Sequence, residues 1–374
     1  PSSRPSAEGF APAGIERLRE FMQGVTRSGD YLGAVTLVAR NGKIVDWRAY
    51  GYRDVAKTDA MRRDSIFRVY SMTKTVATVA VLMLMDERKL ALDDLVGKHL
   101  PEFSEQAVTI RHLLTHTTGF AQATDAMEKS ADLKSYSEAA ARVTPLSAPG
   151  ARFEYNSVNT EIASRVVEVV AGKSFDRFLR ERIFLPLRMH DTGFTVPAKR
   201  RSRIADMTST DDQGRLVAWP AGDSKQPGDP MRRYASGAGG LYSTAGDFAR
   251  FCQMLLNDGR LEGATILRRE TAALMMTNQL TQFDPPVSQY SEGFGLGGFV
   301  NLDSPTRERP GSVGAFGWSG AAATYYMIDP REQMFSILLM QHIPQGFARD
   351  PRKISFAFYN FVYQSLRASA PISR

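Results

Sequence analysis

Apolar and polar positions follow two different periods along the chain, and the change between them divides it. Residues 34–40 and 43–50 are short runs rich in β-branched and aromatic side chains. Between them stands Asn41-Gly42, a pair that accepts the positive backbone angles of a two-residue hairpin turn. Near the other end, 322–328 and 333–340 are similar runs around Asp329-Pro330-Arg331-Glu332, which has the chemistry of a β-turn. Residues 294–300 and 315–318 read as two more short strands. Between these ends the period lengthens to that of a helix, at 73–87, 161–170, 175–183 and 245–256. Two further helices bracket the chain at 14–23 and 350–366. The stretch 76–85 is apolar nearly all round, as in a helix buried on every side. Gly- and Pro-rich stretches at 221–230 and 304–314 read as surface loops.

Antiparallel strands need neighbours for their hydrogen bonds, so the two terminal hairpins are expected to share one sheet. The expected fold class is α+β. An antiparallel sheet built from both chain ends, with flanking helices, takes residues 10–68 and 290–374, and a mainly helical inserted region takes residues 69–289. A cleft between the two is the natural place for a ligand. The length of 374 residues agrees with two such units, at roughly 100–200 residues per domain.

Composition narrows the function classes. With 43% hydrophobic and 23% charged residues, the chain has material for a core and is not a disordered polymer. The net charge of +7 arises from 36 Arg and 11 Lys spread over the whole length. The densest cluster, Lys199, Arg200, Arg201 and Arg203, reads as a solvated loop, so no nucleic-acid partner is expected. Cys252 is the only cysteine, which excludes an intrachain disulfide. No apolar stretch approaches the roughly 18 residues of a membrane span, and a soluble chain is expected. The first residue is Pro1, and an exported, periplasmic location is expected over a cytoplasmic one.

Candidate chemistry is sparse. No serine carries the Gly-x-Ser-x-Gly elbow, and the five histidines lack a supporting motif for a Ser-His-Asp triad. His112 and His116 would share one face of a helix, but Leu113 stands where the zinc-protease pattern needs glutamate. A helix end stopped by Gly119 is the better reading, and neither a metal nor a cofactor is expected. Ser71-Met72-Thr73-Lys74 is more informative. At i and i+3 on a helix, serine and lysine face the same way. A serine hydroxyl needs a base to become a nucleophile, and a lysine in a desolvated site can serve as one. The buried run that follows would place Lys74 at the first turn of a core helix, whose N-terminus would face a developing oxyanion.

Several longer segments accompany that tetrad in order. They are Phe67-Arg68-Val69-Tyr70-Ser71-Met72-Thr73-Lys74, Arg111-His112-Leu113-Leu114-Thr115-His116-Thr117-Thr118-Gly119, Pro149-Gly150-Ala151-Arg152-Phe153-Glu154-Tyr155-Asn156-Ser157, Ser236-Gly237-Ala238-Gly239-Gly240 and Gly317-Trp318-Ser319-Gly320. Together they resemble the Ser-x-x-Lys serine hydrolases related to class C β-lactamases and DD-peptidases, and within these the family VIII carboxylesterases. The resemblance implies a β-lactamase/transpeptidase-like fold, with Ser71 as nucleophile, Lys74 as its base and Tyr155 as proton relay. Tyr234 and Tyr363 also stand in Tyr-x-Ser, but Tyr155 alone follows the Pro-Gly-x-x-Phe-x-Tyr approach. It further implies an oxyanion hole from the backbone N–H groups of Ser71 and Ala321. Substrate contacts fall to Ser157 and to Trp318, Ser319 and Gly320. Two positions depart from the β-lactamase pattern: Ser157 replaces an asparagine that holds the substrate amide, and Trp318 replaces a cation that receives its carboxylate. The second departure is similar to the family VIII esterases and argues against β-lactam hydrolysis. The expected activity is hydrolysis of small-molecule, short-chain carboxylic esters through an acyl-enzyme. The same scaffold leaves open a β-lactamase, a D-amino-acid peptidase, an acyltransferase, or a catalytically silent binding protein.

Overall fold

A computed structural model describes residues 1–122, 129–219, 227–283 and 291–367. The main sheet has seven strands: β1 (Gly33–Arg40), β2 (Lys43–Gly51), β3 (Glu292–Phe294), β4 (Phe299–Asn301), β5 (Phe316–Gly320), β6 (Thr324–Asp329) and β7 (Met334–Leu339). The helices used below are α1 (Pro12–Arg27), α2 (Thr73–Asp86), α3 (Ile110–Leu114), α4 (Leu133–Ala141), α5 (Ser157–Ala171), α6 (Phe175–Leu179), α7 (Ala245–Leu256), α8 (Arg269–Met275) and α9 (Ser355–Gln364).

The strand order is β2-β1-β7-β6-β5-β4-β3, antiparallel throughout, so the two chain ends do build one sheet. β1 pairs with β7 from Val35↔Leu339 to Arg40↔Met334, which joins the terminal hairpins directly. Asn41 and Gly42 turn the first hairpin with φ of 52° and 72°. Side chains alternate across a strand, and here both faces are covered. Val35, Leu37 and Ala39 enter one core with Phe335, Ile337 and Leu339, while Ala34 and Val38 enter the other with Leu338 and Met340. α7 packs on the first face; α1 and α9 pack on the second. Burial on both sides explains why these strands read as nearly continuous apolar runs. The result is the expected α+β architecture, an antiparallel sheet built from both chain ends and flanked by helices.

Several local expectations change. Residues 294–300 are not one strand but the end of β3, a turn and the start of β4. Gly295 N–H donates to Gly298 O at 2.8 Å, and Gly297, at φ 78°, lies where a Cβ would meet Thr78 Oγ1 at 2.3 Å. The terminal helix begins at Ser355 rather than 350, because the Asp350 carboxylate accepts from the backbone of Gln345, Gly346 and Phe347 and holds a loop. The 175–183 helix stops as α6 at Leu179 and widens into a π turn over Arg180–Phe184. The 161–170 helix starts earlier, at Ser157, because the Asn156 side chain caps it by accepting from Val158 N–H at 2.9 Å. β5 runs on to Gly320, and β6 starts at Thr324 after a turn in which Ala323 has φ 58°. Residues 304–314 carry neither helix nor strand, and residues 221–226 of the other expected loop lie outside the described residues. Among the described residues no helix is long and apolar enough to cross a membrane.

Two features place the site. α2 is buried on all sides from Thr73 to Leu84, so its first turn is held rigidly inside the molecule. The end of β5 lies against the backbone just ahead of that turn. A Cβ on Gly320 would stand 2.3 Å from both Val69 O and Thr324 Oγ1, and Thr324 Oγ1 itself donates to Val69 O. Gly320→Ala is therefore expected to cost about 1–3 kcal/mol, the usual range for overpacking. A lower urea midpoint with unchanged slope checks this; an unchanged midpoint would mean that β5 moves freely away from Val69.

Candidate active site

Ser71 sits in a 3-10 turn, Tyr70–Met72, immediately before α2. Tyr70 holds φ 45°, a left-handed angle that is costly for a bulky side chain and is kept here by burial. This bend presents Ser71 at a cavity of about 340 Å³, whose wall also includes Ser157, Glu161, Arg232, Ser236 and Ala321. Ser71 and Ala321, the two expected oxyanion donors, thus face one space from the helix start and from the residue after β5.

Lys74, one turn on, is 1% exposed. Its Nζ lies 3.1 Å from Ser71 Oγ, 3.2 Å from Ser157 Oγ and 2.6 Å from Ala238 O. The carbonyl can only accept, so it claims one N–H. In the amine form, a second N–H serves Ser157 and the lone pair is left facing the Ser71 hydroxyl. The geometry therefore suits proton transfer from Ser71 to Lys74. Ser157, expected to meet substrate, is here a direct partner of the lysine as well as part of the cavity wall.

Tyr155 stands beside this pair, with Lys74 Nζ 5.0 Å from its ring centroid. Its oxygen accepts from Trp318 Nε1 at 3.3 Å, and the two rings pack 5.0 Å apart. Trp318 projects from β5 and also meets Phe294 edge-on. Ser319 and Gly320 continue the same strand, paired with Tyr325 and Thr324. His116 also packs on Tyr155, centroids 4.8 Å apart.

The two histidines do not share a helix face. α3 ends at Leu114, and His116 lies beyond it with φ 54°. His112 belongs to the cap of α3, its Nδ1 accepting from Thr109 N–H. His116 Nδ1 accepts from Asn156 N–H at 3.2 Å and lies 3.0 Å from Asn159 Nδ2, which sets the ring proton on Nε2. Burial, with the nearby Lys74 charge adding to it, pushes the His116 pKa down to about 3, so a neutral ring braces Tyr155. His116→Phe, which keeps the ring but leaves two donors without an acceptor, is expected to lower kcat about tenfold and to lower the unfolding midpoint. Steady-state kinetics and a melt check both effects.

One residue of the site escapes sequence reading altogether. Glu161 lies one turn after Ser157 on α5 and is 3% exposed. Its carboxylate accepts from the Ser236 hydroxyl and from Gly237 N–H at 3.0 Å. Burial pushes its pKa up to about 7, against the opposing pull of these bonds and of Lys74 and Arg232. The available signal was slight: an acid four residues after Ser157, in a helix that also carries Arg165 and Glu168. The raised value has a stability consequence. The folded chain keeps this proton where the unfolded chain releases it near pH 4.5, so the contribution is whole below that pH and is lost as pH rises through about 7. Between those limits the loss is expected to be on the order of 3 kcal/mol. Urea unfolding at pH 5 and pH 8, with Glu161→Gln as the titration-free reference, measures it.

The sequence model of the beta-lactamase family matches residues 16–357. The chain is similar to esterase EstB of Burkholderia gladioli, 30% identical over 365 residues covering 87% of this chain and 89% of the relative. It is also similar to an uncharacterised protein of Mycobacterium tuberculosis (strain CDC 1551 / Oshkosh), 32% identical over 358 residues covering 86% of this chain and 88% of the relative. Among solved structures it superimposes on EstCE1, a hydrolase with promiscuous acyltransferase activity. That match has a TM-score of 0.78 at 25% identity and covers 94% of this chain and 98% of the other.

Proposed function

The chain belongs to the beta-lactamase family of serine hydrolases, and on that premise we propose that it is an esterase cleaving short-chain carboxylic esters through an acyl-enzyme. Ser71 Oγ attacks the ester carbonyl while its proton passes to Lys74 Nζ. The carbonyl oxygen, now an oxyanion, is held by the N–H groups of Ser71 and Ala321. As the tetrahedral intermediate collapses, the C–O bond to the alcohol breaks and the alcohol leaves with a proton from the Tyr155–Lys74 pair. Water, deprotonated by the same pair, then attacks the acyl-enzyme and releases the acid and Ser71.

The observation that carries the ester reading is Trp318. A β-lactam or a peptide with a free C-terminus brings a carboxylate that loses water on entering the site. Leaving it unpaired costs several kcal/mol. The indole supplies one N–H, already directed at Tyr155, and a large apolar face. A neutral ester has no charge to compensate. The similarity to esterase EstB supports the same reading.

The expected result is efficient turnover of p-nitrophenyl acetate or butyrate, with kcat/KM for nitrocefin or benzylpenicillin lower by about 10²-fold or more. Trp318→Lys should shift the ratio toward carboxylate-bearing substrates. Comparable rates on both substrates in the unmodified protein would overturn the ester reading. They would point to Arg232, on the cavity wall, as the charge that receives the carboxylate.

A further inference from the structure

The third partner of Lys74 is not a side chain but Ala238 O, and the position of that carbonyl has a visible cause. Ser157, Glu161 and Ser164 stand at successive turns of α5 and share a face. Against this face lies the segment Ser236-Gly237-Ala238. A Cβ on Gly237 would come within 1.9 Å of Ser164 Oγ, so the backbone there is pressed onto the helix. Glu161 fastens it at two points, one oxygen to the Ser236 hydroxyl and the other to Gly237 N–H. The next carbonyl along the chain is the one that meets Lys74. Both acceptors of Lys74 other than Ser71 are thus set by a single face of α5, Ser157 directly and Ala238 through Glu161.

We propose that Glu161 is a positioning residue for the Ser71–Lys74 proton transfer, holding Ala238 O on the lysine and facing the ammonium formed there with a negative charge. The inference rests on the assignment of Ser71 as nucleophile and Lys74 as base, and not on the choice of an ester as substrate. Two effects act in the same direction. An ionised carboxylate accepts both bonds with charge assistance, whereas a protonated one must meet Ser236 as a donor and accept from Gly237 N–H with a neutral oxygen, a weaker fastening. The ionised form also stabilises the charge that Lys74 gains as it takes the Ser71 proton, in a site where water cannot screen it. Among the described residues, the groups that face Glu161 with positive charge are Lys74 from α2, once it carries a proton, and Arg232 from the segment ahead of Ser236. Both favour ionisation, and burial opposes it. Glu161 therefore changes charge across neutral pH, and the reactivity of Ser71 should step upward with it. Holding an acid in this place lowers stability above neutrality while serving the reaction.

The test is the second-order rate at which an alkyl fluorophosphonate labels Ser71 between pH 5 and pH 9, followed by intact mass. In this step Ser71 Oγ bonds to phosphorus, its proton goes to Lys74 and fluoride leaves. The wild-type rate should show a rise centred near pH 7. Glu161→Gln, of the same shape but with one acceptor oxygen and no charge, should lack that rise and stay about tenfold or more below wild type at pH 8. Glu161→Asp should keep the rise at a reduced rate. Ser236→Ala, which loosens one bond and keeps the charge, should move the rise to higher pH, and it serves if the Gln variant does not fold. A Gln variant that folds with lower stability but keeps the wild-type pH profile would overturn the proposal, leaving Glu161 a purely structural residue. Failure of the wild type to label at Ser71 would instead overturn the assignment of the nucleophile, and with it the inference.

Discussion

Replacing Ser71 by alanine is expected to abolish ester hydrolysis, lowering kcat/KM by about 10⁴-fold or more, while the protein remains folded. Removing the nucleophile leaves only the two backbone N–H groups and substrate binding to act on the carbonyl, and these do not open a covalent route. The fold should tolerate the change, because Ser71 lies at the cavity wall and its hydroxyl bonds Lys74 alone among the described residues. Lys74 keeps Ser157 and Ala238 as acceptors in the variant. Intact mass after fluorophosphonate treatment should show one adduct in the wild type and none in Ser71→Ala. Other serines lie close by, Ser236 on the same wall and Ser319 on β5. An adduct that survives in the alanine variant and maps to either would refute the assignment.

Lys74→Arg should be nearly as damaging, by about 10²–10⁴-fold in kcat, the usual worth of a positioned general base. The charge is retained, so an effect of that size would show that charge is not the requirement. A guanidinium cannot give up a proton in a protein and has no lone pair to offer the Ser71 hydroxyl. It is also planar and bulkier than the compact amine that meets Ser71, Ser157 and Ala238 O. Lys74→Met separates the two causes, since it removes both the charge and the lone pair at similar volume. Equal inactivity in Arg and Met variants, each with a cooperative melt, is the expected outcome. Near-wild-type turnover in the Arg variant would mean that another group accepts the Ser71 proton.

These expectations combine features of different legibility. The hairpin at Asn41-Gly42, the α7 limits at 245 and 256, and the burial of α2 all follow from composition within a short window. Turn angles, helical period and apolar content are local properties. Glycine-rich segments are harder to read: 294–300 has the composition of a strand, yet Gly295 and Gly298 close a turn inside it, since the backbone there must clear Thr78. His116 misleads for a similar reason, because four residues after His112 is a helical spacing only if the helix continues, and α3 stops at Leu114.

By itself the sequence determined what lies within one helical turn: that Ser71 and Lys74 face the same way, that their helix is buried, and that Tyr155 precedes a helix start. Its motif order was also enough to indicate the family. Tertiary structure alone decided which groups Lys74 meets beyond Ser71. Ser157 lies 83 residues away along the chain and Ala238 lies 164 away. Glu161, which holds the second of these in place, carries no motif of its own. Contacts at that separation arise from the docking of α5 and the 236–238 segment onto α2. No short-range period encodes such docking, because it depends on how whole elements pack.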